Sequence, residues 1–306
     1  GANFLCDIVF RALLTFEKFD ICGMREPMKR ILLAVIMMCG SAFSQKADDY
    51  RSDAEQGLAE AQFNLGLCYY DGDGVLQDYN QAAYWFTKAA EQGDASSQYS
   101  LGLCYNTGEG VPKDFKQAVY WYTKAANQGH AKAQYNLGNC INFGKGTLQD
   151  GKQAIYWYTK AANQGFVSAQ FNLGLCYYAG VGVPKDFKQA VYWFTKAAEQ
   201  GYAEAQKNLG VCYGAGNGVP QDYPRAVYWY TKAAEQGDAN AQFLLALKYM
   251  MGEGVAVDLT KSYAILLHAK SNGIDASDFN SFVELLSLTQ KQKEEGQQLA
   301  KTLFTD

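Results

Sequence analysis

Apolar side chains recur along this chain at two spacings. Within short stretches they return every three or four residues. Ala61, Leu65 and Cys68 fall on one face of a helix turning about 100° per residue, with Gln62, Gly66 and Tyr69 beside them, and Ala82, Trp85, Phe86 and Ala89 make a second stripe. Over a longer range the whole pattern repeats every 36 residues: "LGLCYYDGDGVLQD" at 65–78 returns as "LGLCYNTGEGVPKD" at 101–114, "LGNCINFGKGTLQD" at 137–150, "LGLCYYAGVGVPKD" at 173–186 and "LGVCYGAGNGVPQD" at 209–222. Gly57, Gly93, Gly129, Gly165, Gly201, Gly237 and Gly273 keep the same step. A fixed period of about 20–50 residues marks stacked supersecondary units, each burying its apolar face against its neighbours. The chain is therefore one growing stack, although its 306 residues would otherwise suggest about two globular domains.

Each unit divides into two helical halves around a Gly-x-Gly turn. Asp78, Asp114, Asp150, Asp186 and Asp222 stand just before the second half, with Gln81, Gln117, Gln153 and Gln189 three residues on. That spacing assigns the acids to the orphan N–H groups of a helix start, in a capping box. The second helix stops at a glycine such as Gly93, which accepts the left-handed conformation of a helix end. Gly66, Gly102, Gly138, Gly174 and Gly210 let the partner helix approach, large rings facing small residues.

The consensus A-x-A-Q-x-x-L-G-x-x-Y-x-x-G-x-G-V-x-x-D-x-x-x-A-x-x-W-[FY]-x-K-A-A-x-Q-G, followed closely from Ala59 to Gly237, resembles the Sel-1-like repeat family, a relative of the tetratricopeptide repeat. The resemblance covers roughly residues 52–273 and implies an all-α fold, an α/α solenoid wound as a right-handed superhelix of 36-residue helix-turn-helix repeats, acting mainly as an adaptor. Six repeats are expected at 58–93, 94–129, 130–165, 166–201, 202–237 and 238–273, between an N-terminal capping helix at 45–57 and C-terminal capping helices at 274–306. Cysteine-rich members of the family carry two bridging cysteines per unit. Here the first five units have one each, and Lys248 replaces it in the sixth.

The first 45 residues lie outside the period. Lys29 and Arg30, the apolar run Ile31 to Met38 and the small residues up to Ser44 have the layout of a signal peptide over 28–44. The run is shorter than the ~20 residues of a membrane span, so export without membrane insertion is expected, to the periplasm or beyond the cell. Residues 1–27 read as an upstream or non-native segment, the alternative being an ordered N-terminal helix. Past the leader, Cys68, Cys104, Cys140, Cys176 and Cys212 remain, one in each of the first five repeats. Neighbouring helices run about 8–10 Å apart and a disulfide needs Cα atoms within ~7 Å, so these thiols are expected free, as small buried side chains.

The candidate chemistry narrows quickly. Charged residues make up 19% of the chain and the net charge is −4, which gives no long-range pull on nucleic acid. Gly144-Lys145-Gly146 lacks the spacing of a phosphate loop. The calcium-like "DGDG" at 71–74 has Val75 at a ligand position, and the fourth repeat carries Ala179 and Val181 at the acid sites. His130 and His268 are the two histidines, too few for a triad or a zinc centre. Some cysteine-rich relatives are associated with penicillin binding or β-lactamase activity, but the Ser-x-x-Lys and Lys-Thr-Gly motifs of that chemistry are absent. No catalytic residue, metal site or cofactor is assigned. What remains is a surface. Opposite the Ala/Leu stripe of the first helices stand the rings Phe63, Tyr99, Tyr135, Phe171 and Phe243 and the amides Asn64, Asn136, Asn139, Asn172 and Asn208. Related repeats line a concave groove with this face, which implies a protein or peptide partner there, rings stacking on side chains and amides bonding backbone. The same residues could instead hold neighbouring repeats together. The expected function is an exported adaptor; the alternative is a module binding peptidoglycan or another cell-wall glycan, and a β-lactamase-like or penicillin-binding enzyme comes third.

Overall fold

A computed structural model describes residues 46–304, which form fifteen helices and, among the described residues, no strand. The leader and the upstream segment expected over 1–44 lie outside them. The described residues fall into two compact units, one ending at Gln128 and the other starting at Gly129. The first contains α1 (46–55), α2 (Ala59–Asp71), α3 (Tyr79–Glu91), α4 (Ala95–Thr107) and α5 (Phe115–Asn127). The second contains α6 (Ala131–Phe143), α7 (Gly151–Asn163), α8 (Val167–Ala179), α9 (Phe187–Glu199), α10 (Ala203–Ala215), α11 (Tyr223–Glu235), α12 (Ala239–Met251), α13 (Leu259–Ser271), α14 (Ala276–Leu286) and α15 (Gln290–Ala300). Within each unit a second helix packs on the first helix of its own repeat and on that of the next, as in an all-α solenoid of 36-residue helix-turn-helix repeats.

Local chemistry sets these elements. Asp78 accepts from the backbone N–H groups of Asn80 and Gln81, and Asp114, Asp150, Asp186, Asp222 and Asp258 cap their helices in the same way. The reciprocal glutamine bond of a full capping box is formed, among the described residues, only at Thr289 and Gln292. The repeats do not need it. The Asp78 N–H already donates to the Tyr69 carbonyl at 2.9 Å and the Asp186 N–H to that of Tyr177 at 2.9 Å, which ties each second helix to the first. At the other end Gly165, with φ +84, donates to Ala162 while Phe166 donates to Ala161, the paired bonds of a Schellman cap.

Close approach then locks the pairs. A Cβ on Gly66 would stand 2.7 Å from the Phe86 ring, and one on Gly174 would stand 2.6 Å from that of Phe194. In the sixth repeat the facing positions hold Ala246 and Leu266, both buried in one cluster: the extra methyl goes with a smaller partner. Between repeats the second glycine of the turn lies against the start of the preceding second helix; a Cβ on Gly182 would meet the Gly151 carbonyl at 2.3 Å. The first repeat is closed by α1, whose Ala47 and Ala54 pack with Ala61, Leu65 and Cys68. In the second unit α14 supplies Phe279, Phe282 and Leu286 to the cluster around Tyr263, Ile265 and Leu266.

Each unit has buried glutamines that bond in the same way. Gln170 donates to the Ala162 carbonyl of the preceding repeat at 3.1 Å and accepts from Gln200 of its own repeat at 2.7 Å; Gln98, Gln206 and Gln242 make the corresponding bonds. Each amide thus adds a second bond to a helix-end carbonyl that already accepts the N–H of the capping glycine, and so pins a first helix to the end of the preceding second helix.

Candidate functional site

The ring positions on the first helices are all half-buried. Four of them lean on the ring of their own second helix: Phe63 on Phe86 at 5.9 Å between centroids, Tyr99 on Tyr122 at 6.0 Å, Tyr135 on Tyr158 at 6.0 Å and Phe171 on Phe194 at 6.0 Å. In the second unit Tyr135 also meets Phe166 at 5.1 Å, Phe171 meets Tyr202 at 5.1 Å, and Phe243 meets Phe282 of α14 at 5.3 Å. Where the row is interrupted by Lys207, the neighbour is Asp238 and the pair is ionic at 3.4 Å. One slot is thus filled by ring on ring or by charge on charge, so these side chains join repeats as well as presenting a face.

The amides divide into two groups. Asn139 accepts the phenolic hydrogen of Tyr158 at 2.7 Å, and the Asn172 amide nitrogen donates to Asn139 and to the Tyr135 hydroxyl, both at 3.4 Å. Burial pushes the Tyr158 phenol well above its ordinary pKa, so it stays a donor throughout the physiological range. Asn64, Asn136 and Asn208 are half-buried and make no side-chain hydrogen bond among the described residues. Their donors and acceptors are available to a ligand.

The aromatic residues most open to water are on the second helices instead. Tyr84, Tyr120, Tyr156, Tyr192 and Tyr228 are each about 50% exposed, and each stands edge-on to the tryptophan that follows it, at about 5 Å. Lys88, Lys124, Lys160 and Lys196 lie over four of these rings. The period was visible, but it did not say that the residue before each tryptophan points outward.

The five repeat cysteines are free and buried. Desolvation raises the thiols of Cys104, Cys140, Cys176 and Cys212 to about 11, which holds them neutral and unreactive. In the sixth repeat Lys248 takes the cysteine position, paired with Glu253 and lying 4.9 Å over the Tyr223 ring. Both histidines serve helices: His130 Nδ1 accepts from the Ala133 N–H at 3.2 Å, and His268 Nε2 meets the Ala300 carbonyl at 2.7 Å. Among the described residues no group of three or more acids, histidines and cysteines could hold a metal ion, and no helix is long and apolar enough to cross a membrane. The arrangement offers stacking and hydrogen bonding.

The sequence model of the Sel1 repeat family matches residues 59–94, 95–130, 131–166, 167–202, 203–238 and 239–273. The chain belongs to the Sel1 repeat family, whose solenoids are typically protein-interaction adaptors. Among solved structures it is similar to c5321, a protective antigen of uropathogenic Escherichia coli strains displaying an SLR fold, at 37% identity and a TM-score of 0.76. The match covers 82% of this chain and 54% of that one, so the chain spans about half the length of that relative. It is also similar to a Sel1 repeat protein from Oxalobacter formigenes, at 40% identity and a TM-score of 0.62, over 70% of this chain and 86% of the other. No curated protein sequence matches at a significant level.

Proposed function

We propose that this protein is an exported adaptor that binds a segment of another protein along the concave face formed by its first helices. The observation that carries the reading is the half-buried Asn136 and Asn208, which recur at the repeat spacing on either side of Asn172 and make no side-chain hydrogen bond among the described residues. Half-buried amides with open donors and acceptors suit the backbone of an extended peptide, and the rings beside them suit its side chains. The leader at 28–44 is the basis for placing the adaptor in the periplasm or outside the cell.

A photo-crosslinking residue substituted at Tyr135, on the first-helix face, and separately at Tyr192, on the outward row of the second helices, tests this reading in the native host. A protein crosslinked from Tyr135 and absent from Tyr192 is the expected result. Capture from Tyr192 alone, or recovery of cell-wall glycan in place of protein, would overturn it.

A further inference from the structure

At two junctions, of the first repeat with the second and of the fourth with the fifth, a strap of three side chains closes the edge near the turns. Tyr70 stands edge-on to Tyr79 at 5.2 Å and donates its phenolic hydrogen to Glu109 of the following repeat at 2.8 Å. Tyr178 repeats the arrangement with Phe187 at 5.1 Å, and its hydroxyl accepts from Asn217 at 3.4 Å. At the junction of the third and fourth repeats every member of the strap is replaced. Asn142 stands where Tyr70 and Tyr178 stand, Gly151 where Tyr79 and Phe187 stand, and Val181 where Glu109 and Asn217 stand.

A cavity of about 360 Å³ opens there, walled by Asn142, Phe143, Tyr158, Leu175, Cys176 and Val181. Its size falls in the range of ligand pockets, about 300–1,000 Å³. Apolar side chains stand open at its rim, Phe143 at 64% exposure and Val181 at 46%. The rim is also cationic. Lys145 Nζ lies 5.9 Å from the Phe143 ring, Lys185 Nζ lies 4.5 Å from the Phe187 ring and 6.0 Å from that of Tyr178, and Lys152 borders the adjoining trough over Gly151 and Gly182. Asp150 accepts from the Gln153 N–H and Asp186 from those of Lys188 and Gln189, so both acids are held at their helix starts, two charges against the three lysines.

We infer that this cavity receives an aromatic side chain of a peptide partner, with a carboxylate next to that residue meeting the lysine rim. The chain displays the complement of the cavity elsewhere in itself, as the ring pair Tyr70 and Tyr79 with the carboxylate of Glu109. The inference rests on the reading that the protein binds peptides. It assigns a separate contact at the turn edge, and Asn172, which also lines the cavity, is where that contact reaches the amide row.

The probe is the peptide Ac-Gly-Tyr-Glu-Gly-NH2, followed by the methyl resonances of Val181 in the full chain. Saturable shifts of those methyls are expected. Replacing Tyr by Ala in the peptide should weaken binding about tenfold or more, as loss of a buried ring does. Replacing Glu by Gln should weaken it several-fold at low salt and little at high salt, where the lysines are screened. Asn142→Tyr restores the residue found at this place in the first and fourth repeats; it should melt no lower than the wild type and lose the shifts. A variant with Asn136→Ala and Asn208→Ala should keep them, so loss of a full-length partner by that variant reports on the amide row and not on the cavity. Equal shifts from the Ala peptide, unchanged binding by Asn142→Tyr, or Val181 shifts that follow protein concentration alone, as when a second copy fills the cavity, would each overturn the inference.

Discussion

Gly174→Ala measures how closely the two helices of a repeat are packed. The new Cβ would lie 2.6 Å from the Phe194 ring, which is only 1% exposed and has no room to swing away. Overpacking of this kind costs about 1–3 kcal/mol, and alanine in place of glycine within a helix returns about 1 kcal/mol. The net loss should be up to ~2 kcal/mol. Phe194→Leu alone should cost roughly 1–2 kcal/mol, less than the ~3–5 kcal/mol of a Phe→Ala truncation. The double variant reproduces the pairing of Ala246 with Leu266 that the sixth repeat already uses. It should therefore be more stable than the sum of the single losses allows, with a coupling of about 1–2 kcal/mol, within the usual span for residues in contact. Urea unfolding followed by tryptophan fluorescence gives all four stabilities. Additivity within about 0.5 kcal/mol would show that the ring does not press on position 174.

Three further outcomes are expected. Cys104, Cys140, Cys176 and Cys212 are raised from 9.0 to about 11, so at pH 8 the folded protein should hold roughly a hundredfold less thiolate at each than an ordinary cysteine and react slowly with thiol reagents, whereas the protein released after Ser44 should titrate five thiols once unfolded without reductant. Because the unfolded thiols ionise first, stability is fully present below pH 9 and should fall as the pH rises from 9 towards 11; a flat profile there in denaturant unfolding would contradict the burial. Gly165 and Gly182 both have positive φ, but a Cβ meets nothing within 4 Å at Gly165 and the Gly151 carbonyl at 2.3 Å at Gly182, so Gly182→Ala should cost about 1–3 kcal/mol more than Gly165→Ala in the same assay. Mass spectrometry of the protein recovered from its native host should find an N-terminus near Gln45, and retention of residues 1–27 would end the export proposal.

The repeated helix pair was legible because its signals are local: an aspartate that caps, a glycine that ends a helix, and a stripe of alanines facing rings. The single cysteine in each of the first five repeats was legible too, since helix spacing alone argues against a bridge. The glutamine bonds were less so. Gln62 and Gln98 recur with the period beside the apolar stripe, but that they bond across to a helix-end carbonyl depends on how two repeats stack, and one repeat read alone carries no trace of it. The outward tyrosines were hidden for the opposite reason. Tyr192 and Trp193 are adjacent and both aromatic, yet the tryptophan is 9% exposed and the tyrosine 50%, a difference set by which residue the neighbouring repeat covers. The cavity at Asn142 and Gly151 came from departures within the period. The letters were plain in the third repeat, but without knowing that Tyr70 and Tyr79 touch, their joint replacement had no meaning.

The adaptor reading is tested most directly by replacing Asn136, Asn172 and Asn208 together by alanine and comparing that variant with Trp157→Ala, once crosslinking has supplied the partner. The asparagines are half-buried, and Asn172 makes only two long hydrogen bonds at 3.4 Å, so the triple variant should melt close to the wild type, each change costing about 0.5 kcal/mol or less. Trp157 is 8% exposed, and its loss should cost about 3–5 kcal/mol and reduce binding only together with stability. Binding isotherms measured beside melting curves separate the two. The asparagine variant should lose its partner while keeping its fold. A triple variant that melts like Trp157→Ala, or that keeps both fold and partner, would contradict it.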